Sequence, residues 1–518
     1  MAVLGDQVES YAHVNVESAI QLFCLSTSLH RRALGVISSK FTFHCKSTAL
    51  PLHYAPHNMV LPDMCRIGKE NLVFLPPLRS LVLEDCRTNN KASGALHLPQ
   101  TLRYLHLKTW DSFCFNQAIL PSCLETLHLS GSIYWDGPWP ENGLSFPLSL
   151  KTLRIEHGFN FNDSMVDHLP PKLTSLTIGD FFSAPLGFLP SSLVNLRLGD
   201  DFDSSLENLP SNLRSLHLGY NYSLPLPLLP SSLEELRFHS SSVYNLPFGT
   251  PPLPLSLKRL TLGHSFQQSL DSLPRGIEEI VFGGESDKQA LNGAMDVVKY
   301  MLNGDKFTKL SRLSFYTCYA LDLACLPLSI QEISMGAYFD EPVDVLKYYR
   351  QLRKLCFGRA FNHELEHLPE CLKELLFPLE SLFDQSIDLL PSGLQVLTLG
   401  DQFNQPVTRL PSDLKKLQIG DGFSHPLPFP DPLPNNLQSL VVGYKFYHHI
   451  DQFPSTLRVL ILKGAYLKVF LPEEVLSLIG ALPLLKRMGI PEGVHDQIKE
   501  NAVVLAGIAA RNIVLSAY

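Results

Sequence analysis

The sequence predicts a repeat solenoid, with short parallel strands on a concave face, extended or polyproline II returns on the convex side, and helical caps at both ends. Three observations carry that prediction. The phrase LPSSLVNLRLG at 189–199 begins again as LPSNLRSLHLG at 209–219, and its spacing recurs along most of the chain. Within each copy, leucines alternate with polar residues as in a strand that buries one face. The 518 residues include 39 prolines and are only 18% charged, which suits an array of turns and short strands better than two or three ordinary domains.

Taking the Leu (or Phe) before each repeat proline as position zero, apolar residues recur at +4, +7 and +9, often with Gly at +10 and an aromatic at +13. Fifteen coils start in this register, at 98, 120, 146, 169, 189, 209, 229, 253, 273, 326, 368, 390, 410, 433 and 453. Weaker copies near 74, 306 and 348 lack the proline but keep the spacing, giving about 18 coils, mostly 20 to 24 residues apart. That period is leucine-rich-repeat-like. A coil so short must leave, turn and return, so little length remains for a helix. Proline at +1, with further prolines at 185, 225, 227, 406, 426 and 428, favours polyproline II in the return. The glycines at +10, such as Gly199 and Gly219, are expected to let the chain turn sharply after each strand. Aromatics occupy +13 in eleven coils, from Phe159 and Phe182 through Phe403 to Tyr466. Stacked coil on coil, they should form an interior spine with rings about 5 Å apart.

The segments LGDQFNQPVTRLP (399–411) and IGDGFSHPLPFP (419–430) resemble FNIP repeats, short relatives of leucine-rich repeats named for a Phe-Asn-Ile-Pro motif. The similarity covers about residues 72–470, and Phe403-Asn404-Gln405-Pro406 comes close to the full motif. The resemblance implies a solenoid that binds proteins, and it supplies no catalytic residues.

Three segments follow. Residues 71–470 form the solenoid, 1–70 a helical N-terminal cap, and 471–518 a helical C-terminal cap, since an array with raw ends would expose its core. A helical insertion is expected at 284–309, where Leu291, Met295, Val298 and Leu302 share one face behind a cap at Ser286 or Asp287. Residues 342–350 read as a shorter helix. The stretch AIQLFCLSTSLHRRALGVISSKFTFHC (19–45) resembles the latter half of an F-box, the module by which ubiquitin-ligase receptors dock their adaptor; no Leu-Pro pair with a following acid precedes it. Trp135 and Trp139 lie in a Gly/Pro-rich loop that either carries a contact or folds back on the solenoid edge.

Function is expected on the outward side chains at +6 and +8. Over the first coils, +8 presents His106, His128, Arg154, Arg197, His217 and Arg237, while +6 holds almost no acid. Like charges on neighbouring strands cost stability unless neutralised, so this stripe is the candidate contact for an acidic segment of a protein partner, strengthened as the histidines charge toward pH 6. Next, +6 alternates in sign as Arg259, Glu279, Arg312, Glu332, Lys354 and Glu374, an ion ladder of structural character. Leu376, Val396, Val441, Val459 and Ile461 then leave an apolar strip, either covered by the C-terminal helices or open as a second contact.

A net charge of -8 argues against general nucleic-acid binding and against an anionic-membrane binder. The longest apolar run near the C-terminus, Ala502 to Ala510, is too short to span a bilayer, and the start of the chain lacks a secretory pattern. Ten scattered cysteines without zinc spacing suggest reduced thiols in a cytoplasmic protein. His448 and His449 beside Asp451 would point to opposite sides of an extended chain, which argues against a shared metal. Nucleotide, protease and hydrolase motifs are absent from the sequence. The expectation is therefore a non-enzymatic protein-binding scaffold with no cofactor or metal. The alternative is a substrate receptor of a ubiquitin ligase, whose second partner would be the adaptor.

Overall fold

Each Leu-Pro-x-x-Leu phrase closes a turn in which the N–H of the leucine at +4 donates to the proline carbonyl at +1, at 3.0 Å from Leu193 to Pro190 and 3.1 Å from Leu213 to Pro210. Proline loses nothing there, because only its carbonyl is used. The computed structural model describes residues 98–518 apart from 115–119, 135–145, 157–165, 167, 284–305, 317–321, 428–432, 449, 451, 465–471, 491 and 500, together with segments 42–44, 58–61 and 79–84. The chain divides into two units, Met1–Tyr244 and Asn245–Tyr518.

In every repeat coil a strand starts at +6. The first unit holds β1 (Thr42–His44), β2 (Asn58–Leu61), β3 (Ser80–Glu84), β4 (Tyr104–Cys114), β5 (Thr126–Tyr134), β6 (Thr152–Ile155), β7 (Ser175–Thr177), β8 (Asn195–Arg197), β9 (Ser215–Leu218) and β10 (Glu235–Phe238). Each pairs with the next, parallel and in register, so that Leu105, Leu127, Leu153, Leu176, Leu196, Leu216 and Leu236 form one column. These leucines are at most 1% exposed. Burial of each contributes about 1.5–3 kcal/mol, which fixes which face of the strand turns inward.

The second unit repeats the arrangement with β11 (Arg259–Leu262), β12 (Glu279–Phe282), β13 (Arg312–Phe315), β14 (Glu332–Ser334), β15 (Lys354–Cys356), β16 (Glu374–Leu376), β17 (Val396–Thr398), β18 (Lys416–Ile419), β19 (Ser439–Val442) and β20 (Val459–Leu462). Among the described residues, its returns between repeat strands are irregular apart from short 3-10 turns at Leu323–Cys325 and Asp344–Tyr348, the latter where a short helix is expected.

Two sequence habits find their cause between coils. The residue at +3 is often Ser because its hydroxyl donates back to carbonyls of the preceding coil; Ser192 reaches Pro171 O at 2.8 Å and Leu173 O at 2.7 Å, and Ser232 reaches Ser211 O and Leu213 O at 2.7 Å. Cys371 makes the same contact with its thiol, 3.1 Å from Leu352 O. Several +10 glycines, beyond the sharp turn expected after each strand, are required by close approach between coils, and Gly283, at +10 of coil 273, also has φ 76°. A Cβ on Gly219 would stand 2.0 Å from the carbonyl oxygen of Gly199, and one on Gly358 would stand 2.0 Å from that of Gly336.

The aromatic spine is interior. Phe182, Phe202, Tyr222 and Tyr244 stack in the first unit with centroids 6.1 to 6.2 Å apart, and Phe339, Phe361, Phe383, Phe403, Phe423 and Phe446 do so in the second at 5.8 to 6.2 Å. The spacing exceeds the expected strand separation of about 5 Å. In two coils the ring arrives two residues late. Tyr244 and Phe383 take the place of Ser242 and Ser381, whose buried hydroxyls accept the N–H groups of those same aromatics at 3.2 Å. Phe159 and Tyr466 lie outside the described residues.

The last fifty residues depart from a purely helical cap. Helices α1 (Pro472–Ala481), α2 (Glu492–Lys499) and α3 (Ala502–Ala510) alternate with strands β21 (Arg487–Ile490) and β22 (Val514–Ala517), which extend the ladder from β20. The reason lies in the local pattern: Met488 and Ile490 repeat the inward alternation after a Leu-Pro pair at 482–483. Asn501 caps α3 by accepting from Val503 N at 3.1 Å, and Asn512, at φ 53°, ends it. At the other end, β1 and β2 fall within the segment expected to be a helical cap. The rest of that segment, including most of the F-box-like stretch, and nearly all of the expected insertion helix lie outside the described residues.

Candidate protein-binding surface

The strand register brings the six candidate contact residues into one row. His106, His128, Arg154, Thr177, Arg197, His217 and Arg237 face one another across successive strands, outward, beside leucines that point inward. The alternation of buried and accessible residues along each strand places them there.

Their charge differs from what the sequence suggests. Glu156, at +10 where most coils have glycine, holds Arg154 at 2.5 Å. Glu235, two residues before Arg237 on the same side of β10, holds that guanidinium at 2.5 Å and accepts from Ser215 Oγ at 2.7 Å. Residues two apart in a strand share a face, so each acid sits beside its arginine. Arg197 is exposed and, among the described residues, has no carboxylate in ion-pair range.

Nor do the histidines charge near neutrality. His106 and His128 stack with centroids 3.8 Å apart and planes within 7°. His106 Nε2 lies 2.9 Å from Ser130 Oγ. Burial, then the neighbouring His128, lowers the pKa of His106 to about 4. Burial also lowers His128, against the opposing pull of Glu156, whose Oε2 lies 3.1 Å from its Nε2. Burial followed by the Arg237 charge lowers His217 to about 4. For Glu156, burial opposes the charge, yet His128 and Arg154 hold the carboxyl below its usual range. The expected strengthening toward pH 6 is therefore corrected, because burial keeps His106 and His217 neutral there and shifts His128 in the same direction.

In the second unit, the register sets Arg259 opposite Glu279, then Arg312, Glu332, Lys354 and Glu374 in turn. Arg312 meets Glu279 at 3.0 Å and Lys354 meets Glu374 at 3.7 Å. Further along, Ile461 is buried beside Gly489 and the ring of Tyr518. Leu376, Val396, Val441 and Val459 remain partly exposed, so the C-terminal helices leave that stretch of the strip open. His448 Nε2 lies 2.7 Å from Ser424 O, while His449 and Asp451 are outside the described residues, as are Trp135 and Trp139. Among the described residues, no cluster of three His, Cys, Asp or Glu side chains could hold a metal, and no helix is long and apolar enough to cross a membrane.

Comparison with known families adds a match to the FNIP Repeat at residues 159–201, 202–241 and 383–422. The chain carries FNIP repeats. These stretches include the spine residues Phe182, Phe202, Tyr222, Phe403 and the late-arriving Phe383. Among solved structures, the chain is similar to CroV588, described as a circular leucine-rich-repeat protein, at 24% identity with a TM-score of 0.52, covering 92% of this chain and 81% of that one. YopM from Yersinia enterocolitica matches at 19% identity and a TM-score of 0.37, covering 75% of this chain and 83% of that one. No curated protein matches the sequence. The FNIP repeats and the likeness to CroV588 fix the fold as a leucine-rich-repeat type of solenoid.

Proposed function

We propose that this protein is a non-enzymatic scaffold that binds a protein segment on the strand face of its first unit, centred on Arg197. The observation that carries this reading is the guanidinium of Arg197, which among the described residues has no carboxylate in range, on a row whose other arginines are already matched by Glu156 and Glu235. Around it stand Thr177, Asn195, Ser215 and the neutral His217, which offer hydrogen bonds without further charge. An exposed charge in such a setting suits one acidic group of a partner within a polar contact. His106, His128, Arg154 and Arg237 frame that contact and shape it.

Capture from a native extract by the full chain, quantified by mass spectrometry, tests the site. Arg197→Glu should lose a defined protein that Arg154→Ser retains. Identical capture by parent and Arg197→Glu would discard this face as the site. The adaptor-docking alternative rests on residues 19–45 alone, and co-purification with the adaptor tests it separately.

A further inference from the structure

The side chains at +5, just ahead of each strand, form another row, because the +5 N–H of one coil donates to the +5 carbonyl of the preceding one, as Lys415 N does to Gln395 O at 2.8 Å. In the first unit this row neutralises itself. Glu125 lies between Arg103 and Lys151, at 2.9 and 2.7 Å, and Arg214 meets Glu234 at 3.1 Å. From coil 348 of the second unit onward, the same row reads Arg353, Lys373, Gln395, Lys415, Gln438, Arg458 and Lys486, with no acid. The adjoining +6 positions add Lys354, Lys416 and Arg487 against the single Glu374, so five cations at +5 and three at +6 make eight facing one carboxylate.

Only Lys354 among them closes on that carboxylate, at 3.7 Å. Other contacts are to neutral groups: Lys373 Nζ to Gly393 O at 3.0 Å, Lys415 Nζ to Gln395 Oε1 at 2.9 Å, and Arg487 to the Tyr518 hydroxyl at 2.8 Å. Arg353, Lys415, Lys416, Arg458, Lys486 and Arg487 are exposed. Such a concentration in a chain of net charge -8 is not background. Like charges on adjacent strands repel, and beyond Lys354, which has Glu332 and Glu374 on the flanking strands, no described carboxylate lies in ion-pair range of these cations, which fits a row completed by an external anion.

We propose that this basic edge binds an acidic peptide segment of a protein partner, laid across the strand starts with its carboxylates on the cations and its apolar side chains on Val396, Val441 and Val459. Those aliphatic residues favour a peptide over a nucleic acid. They border the basic row on the outward face and remain partly exposed, whereas base stacking needs aromatic platforms. The net negative charge of the whole chain also opposes a long polyanion. Seven strand starts span roughly 29 Å at about 4.8 Å per step, which an extended peptide of about nine residues covers.

Fluorescence anisotropy with the full chain tests this, using a labelled peptide of about ten residues that alternates Glu and Val, a matching Lys and Val peptide, and an oligothymidylate of similar length. The Glu/Val peptide should bind in a salt-sensitive way. Joint replacement Lys415→Glu, Lys416→Glu and Arg458→Glu should weaken it at least about tenfold, equal to 1.4 kcal/mol. Lys172→Glu, at an exposed first-unit cation outside both proposed contacts, should leave it unchanged, which separates this edge from a general effect of surface charge. A circular-dichroism melt checks that the triple variant folds; should it not, the single replacements Lys416→Gln and Arg458→Gln carry the test. Equal affinity of parent and folded variant overturns the proposal. So does preferential binding of the oligonucleotide or the Lys/Val peptide, or loss of the site through self-association of the chain.

Discussion

Replacing Tyr222 by Phe should stabilise the first unit, against the usual direction of core substitutions. The ring is fully buried, 6.2 Å from Phe202 and 6.1 Å from Tyr244, and its hydroxyl has no hydrogen-bond partner among the described residues. Burial accordingly pushes its pKa well above the ordinary tyrosine value. A hydroxyl held away from water without a partner costs about 1–3 kcal/mol, whereas removing one oxygen keeps nearly every ring contact. Subtracting a few tenths for the small void leaves a gain of about 1 kcal/mol. Tyr244 supplies the opposite case, since burial raises its pKa to about 12 but its hydroxyl has a backbone hydrogen bond with Leu226. Tyr244→Phe should therefore lose about 0.5–1.5 kcal/mol. Because repeat arrays can unfold segment by segment, native-state hydrogen exchange at the amides of β8 and β9 is the suitable assay, and a gain of about 1 kcal/mol appears as about fivefold slower exchange. If Tyr222→Phe speeds exchange as Tyr244→Phe does, the hydroxyl has a partner and the reasoning fails.

Glycine position and pH give further checks. Gly219→Ala should cost about 3 kcal/mol in urea unfolding, because its Cβ would stand 2.0 Å from Gly199 O and force adjacent coils apart. Gly480→Ala on α1, where a Cβ meets nothing within 4 Å, should gain about 0.8–1 kcal/mol; similar effects at both sites would refute the close-approach account. For pH, the unfolded chain protonates His106 and His217 below about 6.5, whereas the folded first unit resists until about 4. Stability should hold above pH 6.5 and fall as pH drops toward 4, with His217→Gln flattening the urea midpoint across that window. An unchanged slope in the variant would show that His217 titrates normally.

The inward half of this architecture was legible because it obeys one register. Leucines at +4, +7 and +9 cannot shift without exposing a column, so strand starts, strand faces and the spine follow from spacing alone. What escaped involved offsets from that register. Tyr244 and Phe383 reach the spine two residues late because Ser242 and Ser381 occupy the bend, and a strict count at +13 passes over them. The pairing of Arg154 with Glu156 and of Arg237 with Glu235 was within reach of the same period-two rule that located the leucines. Reading +6 and +8 as separate rows left Glu235 unassigned to Arg237, and reading +10 only as glycine passed over Glu156. The neutral histidines were not legible, since their low pKa values arise from burial and from charges on the next coil.

The outward half has its own rule, set by charge balance between neighbouring strands about 4.8 Å apart. A lone cation in a parallel ladder is answered by an acid beside it, as Arg312 is by Glu279 and Arg103 by Glu125. Where that balance holds, a row serves the fold, and replacing one of its members removes at most about 1 kcal/mol. The balance stops at Arg197 in the first unit and along Arg353 to Arg487 in the second. A cost retained at chosen coils, in an array able to neutralise it elsewhere with one glutamate, is what recognition of an external acidic group requires.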